Sequence, residues 1–266
     1  MPEESSIEKI PFRPAVEPTD TNFDQMGIFH CQIPKNAATI MKIVLCDLYR
    51  YWKGIAFKLQ LTKDKQLSEC QANGWWKEQV GAGKKYRRDF WQPGAEKTKI
   101  AVTRHPVKRF VSLYQFLCEN FKLCGVKPDI HTFTKDIYTL LKTKSVKGTN
   151  FQEKDRDIID YHAQPQTWFC NLAADHANFH LIHFSSDRVA MKSEIKGALD
   201  AAKVPAAYSE QVLKHIDGSD TSHANHNENR KGDLKKSLEE NRESMQYIRA
   251  IYYQDYELLG FEEKTL

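Results

Sequence analysis

The first sustained apolar stretch, GIFHCQI at 27–33, predicts a buried strand. It gives way to a short turn of small and polar residues, and a helical pattern begins at Thr39. Over TIMKIVLCDLYRYW (39–52), Ile40, Ile43, Val44 and Leu48 recur at helical spacing and share one face. TKIAVTR (98–104) predicts a second buried strand, stopped by His105 and Pro106, and VKRFVSLYQFLCENF after it reads as an amphipathic helix. FHLIHF (179–184) predicts a third strand, with helical patterns near 192–203, 206–216 and 233–257. Short apolar strands alternating with longer helices predict an α/β fold with a central, mostly parallel sheet flanked by helices. Residues 1–24 carry four prolines and no periodicity, so an extended, partly mobile N-terminal arm is expected there, with 25–266 as a single domain. The stretch 63–97 is polar and glycine-bearing, which predicts surface loops and short helices with aromatic anchors.

Charge changes this picture little. A net charge of +4, from 39 basic and 35 acidic side chains, is too mild to imply nucleic acid, but it suits a site for a polyanionic small molecule. No apolar run approaches the roughly 18 residues of a membrane span, and the acidic, Pro-rich start lacks a signal-peptide core, so no transmembrane segment is expected. The six cysteines are dispersed without a CxxC pair and no ligand cluster stands out, so no metal site is expected; the redox compartment is left open. The absence of an N-x-[ST] sequon leans away from a glycosylated secretory protein. Oligomeric state is not legible.

The chemistry concentrates where strands hand over to helices. A parallel strand ending in a short loop before a helix points backbone N–H groups, and the positive end of the helix dipole, at one spot. In IPKNAAT, the small residues let an anion approach the backbone, Lys35 adds a point charge, and Thr39 offers a cap and a hydroxyl donor. The alternative is a solvated turn capped by Thr39. The loop is not a GxxxxGK[ST] phosphate loop, which disfavours an ordinary P-loop ATPase. In TRHPVKRFVSLY, Arg104 ends the second strand, Arg109 lies one turn into the helix and Ser112 follows about a turn later, so Arg104 and Ser112 could meet a second phosphate. Two anion-binding turns on one sheet edge imply a ligand with two separated charged groups.

IPKNAAT followed by TRHPVKRFVSLY resembles the 5′-phosphosulfate loop and the 3′-phosphate motif of sulfotransferases. These enzymes use 3′-phosphoadenosine 5′-phosphosulfate (PAPS). DYHAQPQTWFCNL (160–172), SLYQFLCENFKLC and YYQDYELLGF (252–261) resemble segments of the Golgi carbohydrate sulfotransferases, especially a nematode-type branch. The resemblance implies a P-loop-like sulfotransferase fold. It also implies PAPS bound by Pro34, Lys35, Asn36, Ala37, Ala38, Thr39, Arg104 and Ser112, and a carbohydrate acceptor such as a chondroitin-like glycan. A Golgi-lumenal location is implied too, with a cytoplasmic one as the alternative. The loop departs from the family in carrying Asn-Ala-Ala where glycine or serine is common.

Sulfuryl transfer is governed by positioning and by stabilising charge on the leaving phosphate, and Lys35 is the expected stabiliser. No metal is required. His162 is the candidate base for the acceptor hydroxyl, against the alternatives that it binds acceptor or orders its loop. His105, just before Pro106, is expected to shape the turn. Arg230, Lys231 and Gly232 resemble a basic segment that covers the nucleotide in cytosolic sulfotransferases, within a polar cluster at 221–232 read as a lid. The aromatic and basic stretch 75–91 could meet an anionic sugar chain or serve only as a solvated face with Trp75 or Trp76 as an anchor. Rival readings are a cytosolic sulfotransferase for small alcohols or phenols, and an inactive nucleotide- or glycan-binding homologue.

Overall fold

The computed structural model describes residues 7–15, 26–52, 97–125, 128–218 and 228–262. The expectations for 75–91 and for the 221–227 part of the polar cluster lie outside them. The chain divides into two compact units, one of Pro18–Thr103 with Ala177–Ala224, the other of Met1–Glu17, Arg104–His176 and Asn225–Leu266.

The first unit holds a parallel sheet of β1 (Ile28–Cys31), β2 (Thr98–Thr103) and β3 (Phe179–His183) in that spatial order. Its register sets His30 opposite Ile100 and Ala101 opposite Leu181. The apolar runs explain it: strands this short and this apolar are stable only when covered, and helices supply the cover. Helix α1 (Ala38–Trp52) buries Met41, Val44, Leu45 and Leu48 against Ile28, Ile100, Val102 and Ile182 of the strands. The chain returns after β3 as α5 (Arg188–Ala201), whose Asp187 side chain caps the backbone N–H of Val189 at 2.8 Å. Shorter helices α6 (Ala206–Val212) and α7 (Lys214–Gly218) close the core, where buried His215 meets Asp47 of α1 at 2.6 Å.

The second unit is helical. Helix α2 (Pro106–Tyr114) starts on its proline, continues as a π-helical segment Gln115–Asn120, and is followed by α3 (Ile130–Thr143) and α4 (Arg156–Ala163). Past a 3₁₀ segment (Gln166–Asn171) and a single turn (Leu172–Asp175), the unit resumes with α8 (Glu228–Glu240) and α9 (Arg242–Leu258). Phe110, Phe133, Phe151 and Tyr252 stack through its core, with Phe110 and Phe133 centroids 5.3 Å apart. Residues 7–15 form no helix or strand but are docked: Ile10 donates to the Ala250 carbonyl (3.0 Å), Ala15 to that of Trp168 (2.9 Å), and Arg13 pairs with Asp160 and lies over the Trp168 ring. No helix among the described residues is long and apolar enough to cross a membrane.

Three predicted helices are divided, one of them the pattern at 206–216, which breaks at Leu213 into α6 and α7. The pattern at 233–257 is split at Asn241, whose side chain accepts from the Ser244 N–H (2.9 Å) and starts α9 afresh. The helix expected through 107–121 loses its α geometry at Gln115, where the Cys118–Cys124 disulfide gathers the chain end.

Candidate functional site

In the sheet unit, the turn between β1 and α1 is built from an unusual backbone. Lys35 (φ 66°) and Ala37 (φ 56°) both adopt the left-handed conformation that side chains with a Cβ resist, at roughly 1–2 kcal/mol each. Asn36 between them is buried, and its side-chain amide donates to the Val102 carbonyl of β2 at 2.8 Å, tying the turn to the middle strand. Left-handed residues in a tight turn converge successive N–H groups into an anion-binding concavity. The turn leads directly into α1, whose N-terminal end is the positive end of the helix dipole. Pro34 is buried, while Lys35, Ala38 and Thr39 are half-buried. The helix begins at Ala38, one residue earlier than predicted, so Thr39 lies inside the first turn rather than at its cap.

In the helical unit, Arg104 precedes α2 and Ser112 sits on it, both half-buried. The Arg104 backbone is clamped at both ends by one side chain: its N–H donates to Gln166 Oε1 and its carbonyl accepts from Gln166 Nε2, each at 2.8 Å. Burial, and secondarily the charge of Arg109, pull the Arg104 guanidinium down to about 10, with Glu228 acting the other way; it stays a cation at neutral pH. His105 packs edge-on against Tyr256 and Phe261, with centroids 5.9 and 5.8 Å away, and its side chain makes no capping hydrogen bond to α2. Burial holds its pKa below the usual histidine range, against a hydrogen bond to the Glu262 backbone that raises it.

His162 occupies the last turn of α4. Its Nδ1 lies 2.8 Å from the Ile158 carbonyl, which can only accept, so the neutral ring carries its proton on Nδ1 and its lone pair on Nε2. The ring is tilted against Phe116 of the π-helical segment at 4.9 Å and meets Tyr161 edge-on at 5.2 Å. Phe121 (46% exposed) packs tilted against Phe116 at 4.6 Å, and Ile158 is 39% exposed. The Cys118–Cys124 disulfide fixes the segment that carries Phe116. Arg230 of α8 pairs with Glu119 of that segment at 2.9 Å.

Sequence patterns missed the residues that hold these groups. Arg109, read only as lying one turn into an amphipathic helix, is 1% exposed; its Nη2 donates to the His162 carbonyl at 3.1 Å and its guanidinium lies over Tyr252. Gln166, Tyr252 and Asp255 stood in quoted motifs without a role. Their sequence separation, 89 residues from Gln166 to Asp255, leaves no local periodic signal.

Residues 21–262 match the Sulfotransferase family. The chain is also 23% identical over 269 residues to carbohydrate sulfotransferase chst-1 of Caenorhabditis elegans, covering 92% of this chain and 78% of that protein. No solved structure matches it. A match to nine-tenths of the chain settles membership: the chain belongs to the sulfotransferase family.

Proposed function

We propose that this protein moves the sulfuryl group of PAPS to a hydroxyl of a carbohydrate acceptor, a chondroitin-like glycan being the first candidate. The observation that carries the reading is the strained turn at Lys35 and Ala37, retained with non-glycine residues and tethered through Asn36. Backbone strain of this kind persists where a function uses it. Residues Pro34 to Thr39 take the 5′-phosphosulfate, while Arg104 and Ser112 take the 3′-phosphate.

In the transfer, the acceptor oxygen forms a bond to sulfur as the bond from sulfur to the bridging phosphate oxygen breaks. The electron pair stays on that phosphate oxygen, where the Lys35 ammonium opposes the growing charge. The acceptor proton passes to Nε2 of His162, the lone-pair nitrogen fixed by the Ile158 carbonyl. The exposed Phe121, which packs on the Phe116 ring that meets His162, and the exposed Ile158 offer apolar contact to the face of a sugar.

Cys31, Cys46, Cys118, Cys124 and Cys170 are all disulfide-bonded, which supports an oxidising compartment and fits the Golgi lumen that the resemblance implies. A screen with ³⁵S-labelled PAPS tests the proposal. Label should enter desulfated chondroitin or another glycan; label in small phenols alone would assign a different acceptor class, and label in no acceptor would refute transfer.

A further inference from the structure

Two motifs around the candidate site, HAQPQTWFC and YYQDYELLGF, are joined by a buried polar network with no role in the transfer as described. Asp255 is fully buried on α9. Its Oδ1 accepts from the backbone N–H and the hydroxyl of Thr167, both at 2.9 Å. Its Oδ2 accepts from the Gln166 backbone N–H at 3.0 Å and from Gln166 Nε2 at 3.1 Å. Three N–H donors and the Thr167 hydroxyl thus converge on the two carboxyl oxygens, an arrangement that favours the carboxylate. Desolvation pushes its pKa up, while Arg109 and these donors favour the ion.

The consequence lies one bond further on. With its Nε2 oriented by Asp255, the Gln166 amide cannot flip, and it is the group that closes on both the N–H and the carbonyl of Arg104. We propose that Gln166, locked by Asp255, is a positioning residue that aims Arg104 at the 3′-phosphate of the nucleotide and so sets the preference for a 3′-phosphorylated donor. This rests on the reading of Arg104 as the 3′-phosphate ligand. A backbone clamp suits the task, because Arg104 lies outside both β2 and α2, and no regular ladder fixes its direction. The cost of burying Asp255 is then understandable as orientation of an amide whose two ends must not exchange.

The test compares calorimetric affinities for adenosine 3′,5′-bisphosphate and adenosine 5′-phosphate, whose ratio isolates the 3′-phosphate. Arg104→Ala is the reference and should collapse that ratio; if it does not, the assignment of Arg104 itself fails. Gln166→Met keeps the volume and removes the clamp. It should weaken the bisphosphate about tenfold or more while changing the monophosphate less than about threefold. In the Arg104→Ala background it should take nothing further from the ratio, since the two residues act as one unit. Thr167→Val deletes one hydrogen bond to Asp255 but leaves the clamp, so the ratio should hold. If Gln166→Met fails to fold, Gln166→Glu retains an acceptor for the Arg104 N–H and should give an intermediate ratio. A ratio unchanged in Gln166→Met or Gln166→Glu, with Arg104→Ala collapsed, overturns the inference. Equal weakening of both nucleotides would also overturn it, because that is what a merely structural residue does.

Discussion

Replacing Asn36 with alanine removes the one side-chain tether described between the strained turn and β2. The lost bond, a 2.8 Å donation from a buried amide to the Val102 carbonyl, costs about 1–3 kcal/mol when the partner is left unsatisfied. The strain it opposes is of similar size. Two left-handed residues at roughly 1–2 kcal/mol each amount to about 2–4 kcal/mol, so loss of the tether lets the turn relax away from its binding form. A bias of 1–3 kcal/mol corresponds to about a 5- to 150-fold change in the competent fraction, and affinity falls with that fraction. Asn36→Ala should therefore weaken both adenosine 5′-phosphate and adenosine 3′,5′-bisphosphate by about tenfold in isothermal titration calorimetry. Adding Ala37→Gly should restore part of the affinity, because glycine occupies φ 56° without the Cβ penalty. Unchanged affinity, or a stability loss with normal affinity and no rescue, would refute the idea that the turn is held strained for binding.

Three further outcomes are expected. Burial, then the charge of Lys42, holds the His30 pKa down at about 3, so below about pH 6.5 the unfolded chain takes up a proton that the folded one refuses. Stability should fall as pH drops through that window, by at most about 1.4 kcal/mol per pH unit from this residue, and His30→Leu should flatten the trend in urea denaturation; parallel slopes would count against it. His162→Ala should cut acceptor sulfation by about 10²–10⁴-fold with nucleotide affinity intact, whereas a loss of acceptor affinity alone would make His162 a binding residue. Phe121→Ala should raise the glycan KM by about 2- to 12-fold, from roughly 0.5–1.5 kcal/mol of ring contact, and leave kcat and nucleotide binding unchanged; an unaltered KM would remove Phe121 from the acceptor surface.

How far the sequence carried the fold depends on the range over which each element is encoded. The three strands were legible because each is a short apolar run bounded by turn residues, and the parallel order followed from the helices between them. The turn at 34–37 was legible by composition as a tight handover from strand to helix, yet its left-handed residues were hidden: alanine and lysine do not announce positive φ as glycine does. Asn36 was read as lining that loop, and its tether to Val102 is a tertiary fact. Arg109 was placed only as lying one turn into the helix, since periodicity sees a charge and cannot see the buried Asp255 in the same network. The break at Asn241 was signalled by a strong cap residue that the longer helical pattern outweighed.

The central claim is that two separate turns divide the donor between them, one acting on the bond that breaks and the other on recognition. Steady-state transfer of ³⁵S from PAPS by Lys35→Ala and Arg104→Ala, measured side by side, tests it most directly. Lys35→Ala should lower kcat by about 10²-fold or more with KM for PAPS little changed, as expected when a transition-state charge stabiliser is lost. Arg104→Ala should raise KM for PAPS and leave kcat at saturation within a few-fold of the original. Normal turnover in Lys35→Ala, or unchanged PAPS dependence in Arg104→Ala, would contradict the account.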